Sequence, residues 1–127
     1  MTVQVFGAQY STCTQRVLAV LHELGVQYSL EFVDMSKGEH KNPGFVDLHH
    51  PFGIIPAIED DGVKLFESRA ICRYLVDKYG QSEQKSLLPS KAAGAVGYGL
   101  YEQALSIEYS YFDPSMKSLS YELLFKQ

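Results

Sequence analysis

The stretch PFGIIPAIEDDGVKLF, residues 51–66, decides the fold of this chain. Its second half predicts a β-hairpin, because residues 57–59 and 63–66 have the character of strands. The Asp61-Gly62 pair between them tolerates the positive φ angles of a tight turn. Two prolines and a glycine in the first half exclude regular structure before residue 57. The stretch therefore predicts a loop that leads directly into two antiparallel strands.

Strand and helix patterns flank this hairpin on both sides. Upstream, Val3 and Val5 alternate with polar residues in a first strand, an amphipathic helix ends at Gly25, and residues 28–32 alternate as a second strand. Residues 37–43 are polar and predict a loop, which leads into a short helix that ends near His49. Downstream, apolar residues at helical spacing predict a helix closed by a glycine at position 80. The order β-α-β, loop, β-β-α predicts an α/β fold of thioredoxin-like arrangement, with a four-stranded mixed sheet.

The composition divides the chain into three segments. Residues 1–80 carry the α/β pattern, and residues 81–90 are polar and predict a linker. Residues 91–127 carry apolar residues at helical spacing and predict a long helix, with Asp113-Pro114 expected to interrupt or kink it. This last segment is shorter than the roughly 40 residues at which an isolated domain usually needs a staple or a partner. We therefore do not expect it to fold as a separate domain.

The composition also excludes several classes of function. The 127 residues carry a net charge of −4 and only two cysteines, so structural disulfides and nucleic-acid binding are not expected. The longest apolar run, residues 17–21, is far below the roughly 18 residues of a membrane span, and residues 1–10 lack the features of a secretory signal. The adjacent pair His49-His50 does not have the spacing of metal ligands. We expect a cytoplasmic protein without a metal or a membrane partner.

Ser11 lies between the first strand and the first helix, in the segment Tyr10 to Thr14. A hydroxyl at this point faces the N-terminus of a helix, whose unpaired N–H groups favour a bound anion. Serine and threonine also cap helices at such positions by accepting from backbone N–H groups. On this feature alone, N-capping is the better interpretation and catalysis the alternative.

Four motifs in a fixed order favour the catalytic interpretation of Ser11 over simple N-capping. They are S-T-x-T-x-R-V-L at 11–18, G-E-H-K at 38–41, P-F-G-x-I-P-A at 51–57 and L-F-E-S-R-A-I at 65–71. Together they closely resemble the N-terminal domain of glutathione transferases, and of the phi class in particular. The resemblance is dense over residues 3–80 and looser over 111–114 and 122–126.

The resemblance implies a glutathione site with a role for each motif. Ser11 is implied as the catalytic residue, a donor to the glutathione sulfur that favours thiolate over thiol. The remaining implied contacts are Thr12 beside it, His40 and Lys41 at the glycine carboxylate, Ile54 and Ile55 at the cysteinyl unit, a structural cis proline at Pro56, and Glu67 and Ser68 at the γ-glutamyl end. Without the resemblance, His40-Lys41 would be a solvated loop and Glu67-Ser68 an ordinary helix start.

The implied activity is conjugation of glutathione to hydrophobic electrophiles, with hydroperoxide reduction as a second reaction. Glutathione is a co-substrate, no other cofactor is expected, and a full-length protein of this kind is a homodimer. Ile54 occupies a position that is usually polar in the phi class, so weaker glutathione binding is expected. The resemblance also implies that residues 91–127 are the truncated start of the family's all-α domain, and we expect most of that domain to be absent beyond Gln127.

A non-catalytic carrier or interaction module is the alternative to a transferase. The missing helical domain and Ile54 favour the carrier, whereas Ser11, His40, Lys41, Glu67 and Ser68 favour the enzyme. Dithiol redox chemistry is disfavoured, because Cys13 is out of register with the C-x-x-C pair that such chemistry uses.

Overall fold

The computed structural model describes residues 2–80 and 87–126. It separates into two compact units, Met1–Leu87 and Leu88–Gln127. Most of the linker predicted at 81–90 lies outside the described residues. The described end of that segment, residues 87–90, contains no helix or strand.

The first unit is a mixed sheet with helices, as the sequence predicts. Its strands run in the order β2-β1-β3-β4; β1 pairs in parallel with β2, and the other two pairings are antiparallel. The elements in chain order are β1 (Val3–Gly7), α1 (Thr12–Leu24), β2 (Tyr28–Phe32), a 3-10 turn (Glu39–Lys41), α2 (Pro43–Leu48), β3 (Ala57–Asp60), β4 (Val63–Phe66) and α3 (Ser68–Tyr79). The thioredoxin-like βαβ-ββα arrangement is therefore confirmed.

Local backbone signals are confirmed at two turns. Asp61 and Gly62 have φ angles of 51° and 81°, as a tight hairpin turn requires. Gly25 ends α1 in the left-handed conformation, and its N–H donates to the carbonyl oxygens of Leu21 and His22. One prediction is wrong in detail: residues 39–41, expected in a loop, form a 3-10 turn. Gly38 enters that turn with φ 72°, and the N–H of Lys41 donates to its carbonyl oxygen.

The two faces of the sheet are covered by different helices. Phe6 points to the face that carries α2, where it packs with Phe45 against the buried cluster of Ala8, Val33 and Ile55. Because strand side chains alternate, Val5 points to the opposite face. On that side α1 and α3 pack together, and the fully buried side chains include Val17, Leu21, Ile71 and Leu75. Each such aliphatic side chain contributes about 1.5–3 kcal/mol when buried.

A buried carboxylate ties α3 to the hairpin. Asp60 ends β3 and is 1% exposed. It accepts hydrogen bonds from the hydroxyls of Tyr74 and Tyr79, and Lys78 Nζ lies 2.9 Å from its Oδ2. The same ammonium reaches Oδ2 of Asp61 at 2.7 Å. These hydrogen bonds compensate for the burial of the charge and fix the C-terminal half of α3.

The second unit is helical. A 3-10 turn at Lys91–Ala93 leads into α4 (Gly94–Ile107), a π turn (Glu108–Phe112), α5 (Asp113–Ser120) and a second π turn (Tyr121–Phe125). The interruption predicted at Asp113-Pro114 is the first π turn; a proline has no N–H to donate, and widening the preceding turn accommodates it. Across the ranges that the structure describes, no helix is both long and apolar enough to cross a membrane.

Candidate active site

The hydroxyl oxygen of Ser11 caps the N-terminus of α1 by accepting a hydrogen bond. Its backbone is extended, with φ −77° and ψ 120°, and its Oγ accepts a hydrogen bond of 3.3 Å from the N–H of Thr14. The N-capping interpretation is therefore confirmed. The Ser11 O–H donates no hydrogen bond to any of the described residues. The cap uses a lone pair of the oxygen, so the hydroxyl remains able to donate a hydrogen bond to a ligand.

Thr14 fixes the turn that presents Ser11. It is fully buried, and its Oγ1 accepts from the N–H of Ala8 at 3.4 Å. Gly7 lies against it, since a Cβ at Gly7 would come within 2.6 Å of that oxygen. The end of β1 and the first turn of α1 are thus held together around one buried hydroxyl. Thr12, the other predicted site residue here, begins α1 and is exposed.

The 3-10 turn with His40 and Lys41 contacts the segment after α2. Lys41 Nζ donates to the carbonyl oxygen of Phe52 at 3.0 Å. Gly53 has φ +59°, and a Cβ there would meet the carbonyl oxygen of His40 at 2.6 Å. Two motifs that the sequence separates by about ten residues are therefore in direct contact. His40 is half-buried, and its Nδ1 is enclosed without a hydrogen-bond partner among the described residues.

Ile54 and Ile55 are neighbours with opposite environments. Ile54 is 52% exposed, whereas Ile55 is 5% exposed and packs in the cluster with Ala8 and Val33. The Ile55–Pro56 bond is cis, as the resemblance implies. The side chain of Ile55 therefore anchors the segment, and that of Ile54 faces outward.

Glu67 and Ser68 form a turn between β4 and α3. Glu67 has φ +71°, a conformation that costs a residue other than glycine about 1–3 kcal/mol. It holds the N-cap position of α3 without a side-chain cap, and the helix begins at Ser68. Ser68 is buried, and its Oγ accepts from Arg16 Nη1 at 2.7 Å. Glu67 is itself exposed at the N-terminal end of α3.

Arg16 is a site residue that the sequence reasoning did not single out. It lies on α1, one turn beyond Ser11, and reaches across to the start of α3. The sequence places Arg16 in the same motif as Ser11, but it does not show that Arg16 contacts Ser68, which is 52 residues away.

The two adjacent histidines have separate environments. The His49 ring stacks on Phe6 with centroids 3.9 Å apart, and burial lowers its pKa. His50 as a residue is 2% exposed, and its Nδ1 accepts from the N–H of Phe52 at 3.3 Å. Burial is the main cause that lowers the pKa of His50; Glu67 opposes it and Lys41 adds to it. In the described part of the chain no set of three or more His, Cys, Asp and Glu side chains is arranged to hold a metal ion.

The two cysteines lie on different helices. Cys13 is half-buried in the first turn of α1. Cys72, on α3, points its Sγ at the carbonyl oxygen of Arg16, 3.7 Å away, and burial raises its pKa to about 11. Cys72 is therefore a protonated packing residue near neutral pH.

Comparisons with known proteins agree on one family. Residues 1–77 match the model of the glutathione S-transferase N-terminal domain. Over 126 residues the chain is 54% identical to glutathione S-transferase PM239X14 of Arabidopsis thaliana. The aligned region covers 98% of this chain and 56% of that relative.

Solved structures give the same result. The crystal structure of poplar glutathione transferase F1 superimposes with a TM-score of 0.89 at 38% identity, covering 100% of this chain and 57% of that one. A structure of glutathione S-transferase I bound with lactoylglutathione superimposes with a TM-score of 0.83 at 26% identity, covering 98% and 56%. The chain thus spans a little over half the length of the relatives it matches. On its sequence, its fold and these similarities, the chain belongs to the glutathione S-transferase family, in the phi (F) class.

Proposed function

We propose that the site binds glutathione and activates its thiol for transfer to an electrophile. The observation that carries this proposal is the geometry of Ser11, whose oxygen is committed to capping α1 while its proton has no acceptor among the described residues. A thiolate placed there accepts the Ser11 O–H and lies near the positive end of the α1 dipole. Both effects lower the pKa of a bound thiol from about 8.5.

The other site residues suit the remaining parts of an extended anionic tripeptide. Lys41, anchored by the Phe52 carbonyl, and the half-buried His40 supply positive charge and a donor for the glycine carboxylate. The main chain at Ile54 and Ile55 is proposed to pair with the cysteinyl unit in strand-like fashion.

The γ-glutamyl end is assigned to the turn before α3. The exposed Glu67 carboxylate accepts from the ammonium group of the ligand, and the N–H groups at the start of α3 hold its carboxylate. Arg16, bonded to Ser68 Oγ, adds a positive charge behind the same position. This assignment places each ligand charge beside an opposite charge or dipole.

The reaction then requires little covalent chemistry from the protein. The bound thiol loses its proton to solvent, and the thiolate stabilised by Ser11 attacks the electrophilic carbon. A sulfur–carbon bond forms while the bond to the leaving group breaks, and the leaving group departs with its electron pair. With an organic hydroperoxide, the thiolate takes the terminal oxygen as the O–O bond breaks, and the alkoxide leaves as an alcohol after gaining a proton from solvent. A second glutathione thiol then condenses with the sulfenic acid, which gives the disulfide and water.

An exposed aromatic pair supports an apolar electrophile. Tyr10 directly precedes Ser11, and its ring meets Phe32 edge to face with centroids 6.5 Å apart. Both side chains are exposed. They offer an apolar wall beside the position proposed for the sulfur. The lactoylglutathione in the glutathione S-transferase I structure is a glutathione derivative, which also supports this ligand class for the same fold.

Two measurements on the chain and on Ser11→Ala test the proposal. Calorimetry with millimolar glutathione should show binding, and absorbance titration should show the apparent pKa of the bound thiol rising by about one to two units in the variant. Ser29→Ala, on β2 and paired with the opposite end of β1, is the matched control and should leave that pKa unchanged. Absence of glutathione binding refutes the site, and an unchanged pKa in Ser11→Ala removes Ser11 from the mechanism.

A conjugation assay with an aromatic chloride as electrophile tests turnover. The transferase proposal predicts chloride release that depends on glutathione and falls in Ser11→Ala. Ligand binding without turnover would favour a carrier instead.

A further inference from the structure

His50 is a buried titratable group whose role the proposed reaction does not include. Its ring lies against Phe66, with centroids 4.7 Å apart, and against Phe52, at 6.1 Å. Its main chain is also engaged: the N–H donates to the carbonyl oxygen of Phe45, and its own carbonyl accepts from Gly53 at 2.8 Å. Both the ring and the main chain of His50 therefore contact the segment that follows it, at Phe52 and Gly53.

The hydrogen bond of the ring requires its neutral form. Nδ1 accepts from the N–H of Phe52 at 3.3 Å, so the ring proton must be on Nε2. Protonation would place an Nδ1–H group against the Phe52 N–H, where two donors face each other. The bond holding Phe52 would then be lost.

Phe52 is where the ring connects to the glutathione site. The carbonyl of Phe52 accepts from Lys41 Nζ, and the next residue, Gly53, lies against the main chain of His40. Ile54 and Ile55 follow directly along the chain. The hydrogen bond that His50 Nδ1 accepts from Phe52 therefore orients the backbone whose carbonyl oxygen binds Lys41 and which leads into the proposed cysteinyl contacts.

Charged groups from two elements act on the ring in opposite directions. Glu67, at the junction of β4 and α3, favours the protonated form, and Lys41, from the 3-10 turn, disfavours it. A hydrogen bond to the backbone of His50 itself also favours the protonated form, whereas the neighbours Phe45, Phe52 and Phe66 carry no charge. Because burial dominates, the neutral ring is the form that the folded protein favours.

We propose that His50, in its neutral form, is a positioning residue for the glutathione site, holding the backbone of Phe52 so that Lys41 and the residues that follow meet the ligand. The inference rests on the proposed function for the identity of the ligand. It predicts that protonation of a group that does not itself touch glutathione weakens glutathione binding.

The direction of the pH effect follows from linkage. The pKa of His50 is lowered from 6.5 in the folded protein. The support it gives is therefore complete above the ordinary imidazole range and is lost as the pH falls through the lowered value. In glutathione titrations from about pH 7.5 downwards, the affinity of the unaltered chain should fall as His50 protonates.

Two substitutions separate the hydrogen bond from the titration. In His50→Asn the side-chain oxygen can accept from the N–H two residues later, as in an Asx turn, and has no proton to gain. Its glutathione affinity at about pH 7.5 should stay within about threefold of the unaltered chain, and the part of the pH dependence due to His50 should disappear. In His50→Leu an apolar side chain fills the space of the ring, but the hydrogen-bond acceptor is removed. The glutathione affinity of this variant should therefore be about tenfold weaker at every pH. His22→Asn, an exposed position at the end of α1, should keep the original pH profile.

A measurement on the protein without glutathione tests the role of His50 separately from the proposed function. In the free protein, the NMR shift of the Phe52 amide should titrate together with the His50 ring, and should not titrate in His50→Asn. If the chain binds no glutathione, the proposed function fails and the Phe52 amide alone decides the positioning role. The inference is overturned if that amide does not follow the ring, if His50→Asn keeps the full pH dependence of binding, or if His50→Leu melts at a lower temperature but binds glutathione as the unaltered chain does.

Discussion

Arg16 Nη1 donates a hydrogen bond of 2.7 Å to Oγ of the buried Ser68. Arg16 lies on α1 and Ser68 begins α3, so the bond joins the two helices that pack on one face of the sheet. The Sγ of Cys72 lies 3.7 Å from the carbonyl oxygen of the same arginine. The start of α3, where we place the carboxylate at the γ-glutamyl end, is thus held by a side chain of the helix that Ser11 caps.

Loss of this bond should weaken glutathione binding. A hydrogen bond from a charged group contributes about 1.5–3 kcal/mol, so Arg16→Ala should reduce the affinity by about tenfold or more. Calorimetry on Arg16→Ala, Ser68→Ala and the double variant measures the coupling, and the double variant should lose less than the sum of the two single variants. Arg73→Ala, at an exposed position of α3, is the control. Strict additivity of the two single effects would show that the bond does not couple the helices.

Gly53 should be intolerant of even one added methyl group. Gly53→Ala places a Cβ within 2.6 Å of the His40 carbonyl oxygen at a φ of +59°. We expect a loss of about 1–3 kcal/mol in unfolding free energy and glutathione affinity lowered by about tenfold. Gly44→Ala, where a Cβ meets no atom within 4 Å, should leave binding unchanged. Unaltered binding by Gly53→Ala would contradict the close approach of the two segments.

Asp60 should control stability in acid. Burial alone raises the pKa of Asp60, but the hydrogen bonds from Lys78, Tyr79 and Tyr74 outweigh it and hold that pKa below 3.8. Since the pKa is lower in the folded state than in the unfolded state, this contribution is present above about pH 4 and is lost as the pH falls through the lowered value. Asp60→Asn should lower the unfolding free energy by about 1–3 kcal/mol near neutral pH and flatten the decline in acid.

Asp61→Asn is the matched control for this substitution. Asp61 shares the Lys78 ammonium but is exposed, so the same change should lower the unfolding free energy by less than about 1 kcal/mol. Denaturant unfolding at several pH values measures both effects. Equal acid dependence in Asp60→Asn and the unaltered chain would show that the carboxylate does not contribute.

Cys72 should resist alkylation in the folded protein. With its pKa raised to about 11, about one molecule in a thousand carries the thiolate at about pH 8. In the Cys13→Ser variant Cys72 is the single thiol of the chain, so mass spectrometry after iodoacetamide treatment reports on it alone. In denaturant the pKa returns to about 8.5 and the modification should become fast. Similar rates in the folded and unfolded protein would contradict the raised pKa.

The candidate site was predictable where a local signal marked the position. Ser11 at the start of α1, Ser68 at the start of α3 and the segment before Pro56 lie where the motifs predict them. Their roles toward glutathione stay predictions for the experiments above. The sequence did not indicate His50 as a site residue, because nothing local shows that its ring is buried and accepts from Phe52.

The order of elements was determined by the sequence alone. Strand and helix periodicity, the Asp61-Gly62 turn and the left-handed Gly25 are properties of short segments, because they depend on φ preferences and on the spacing of apolar residues. The tertiary structure decided which polar groups meet. Arg16 and Ser68 are 52 residues apart, and Gly53 lies against the main chain of His40 from a different segment of the chain. Such pairs depend on how helices pack over the sheet, which periodicity along the chain does not encode.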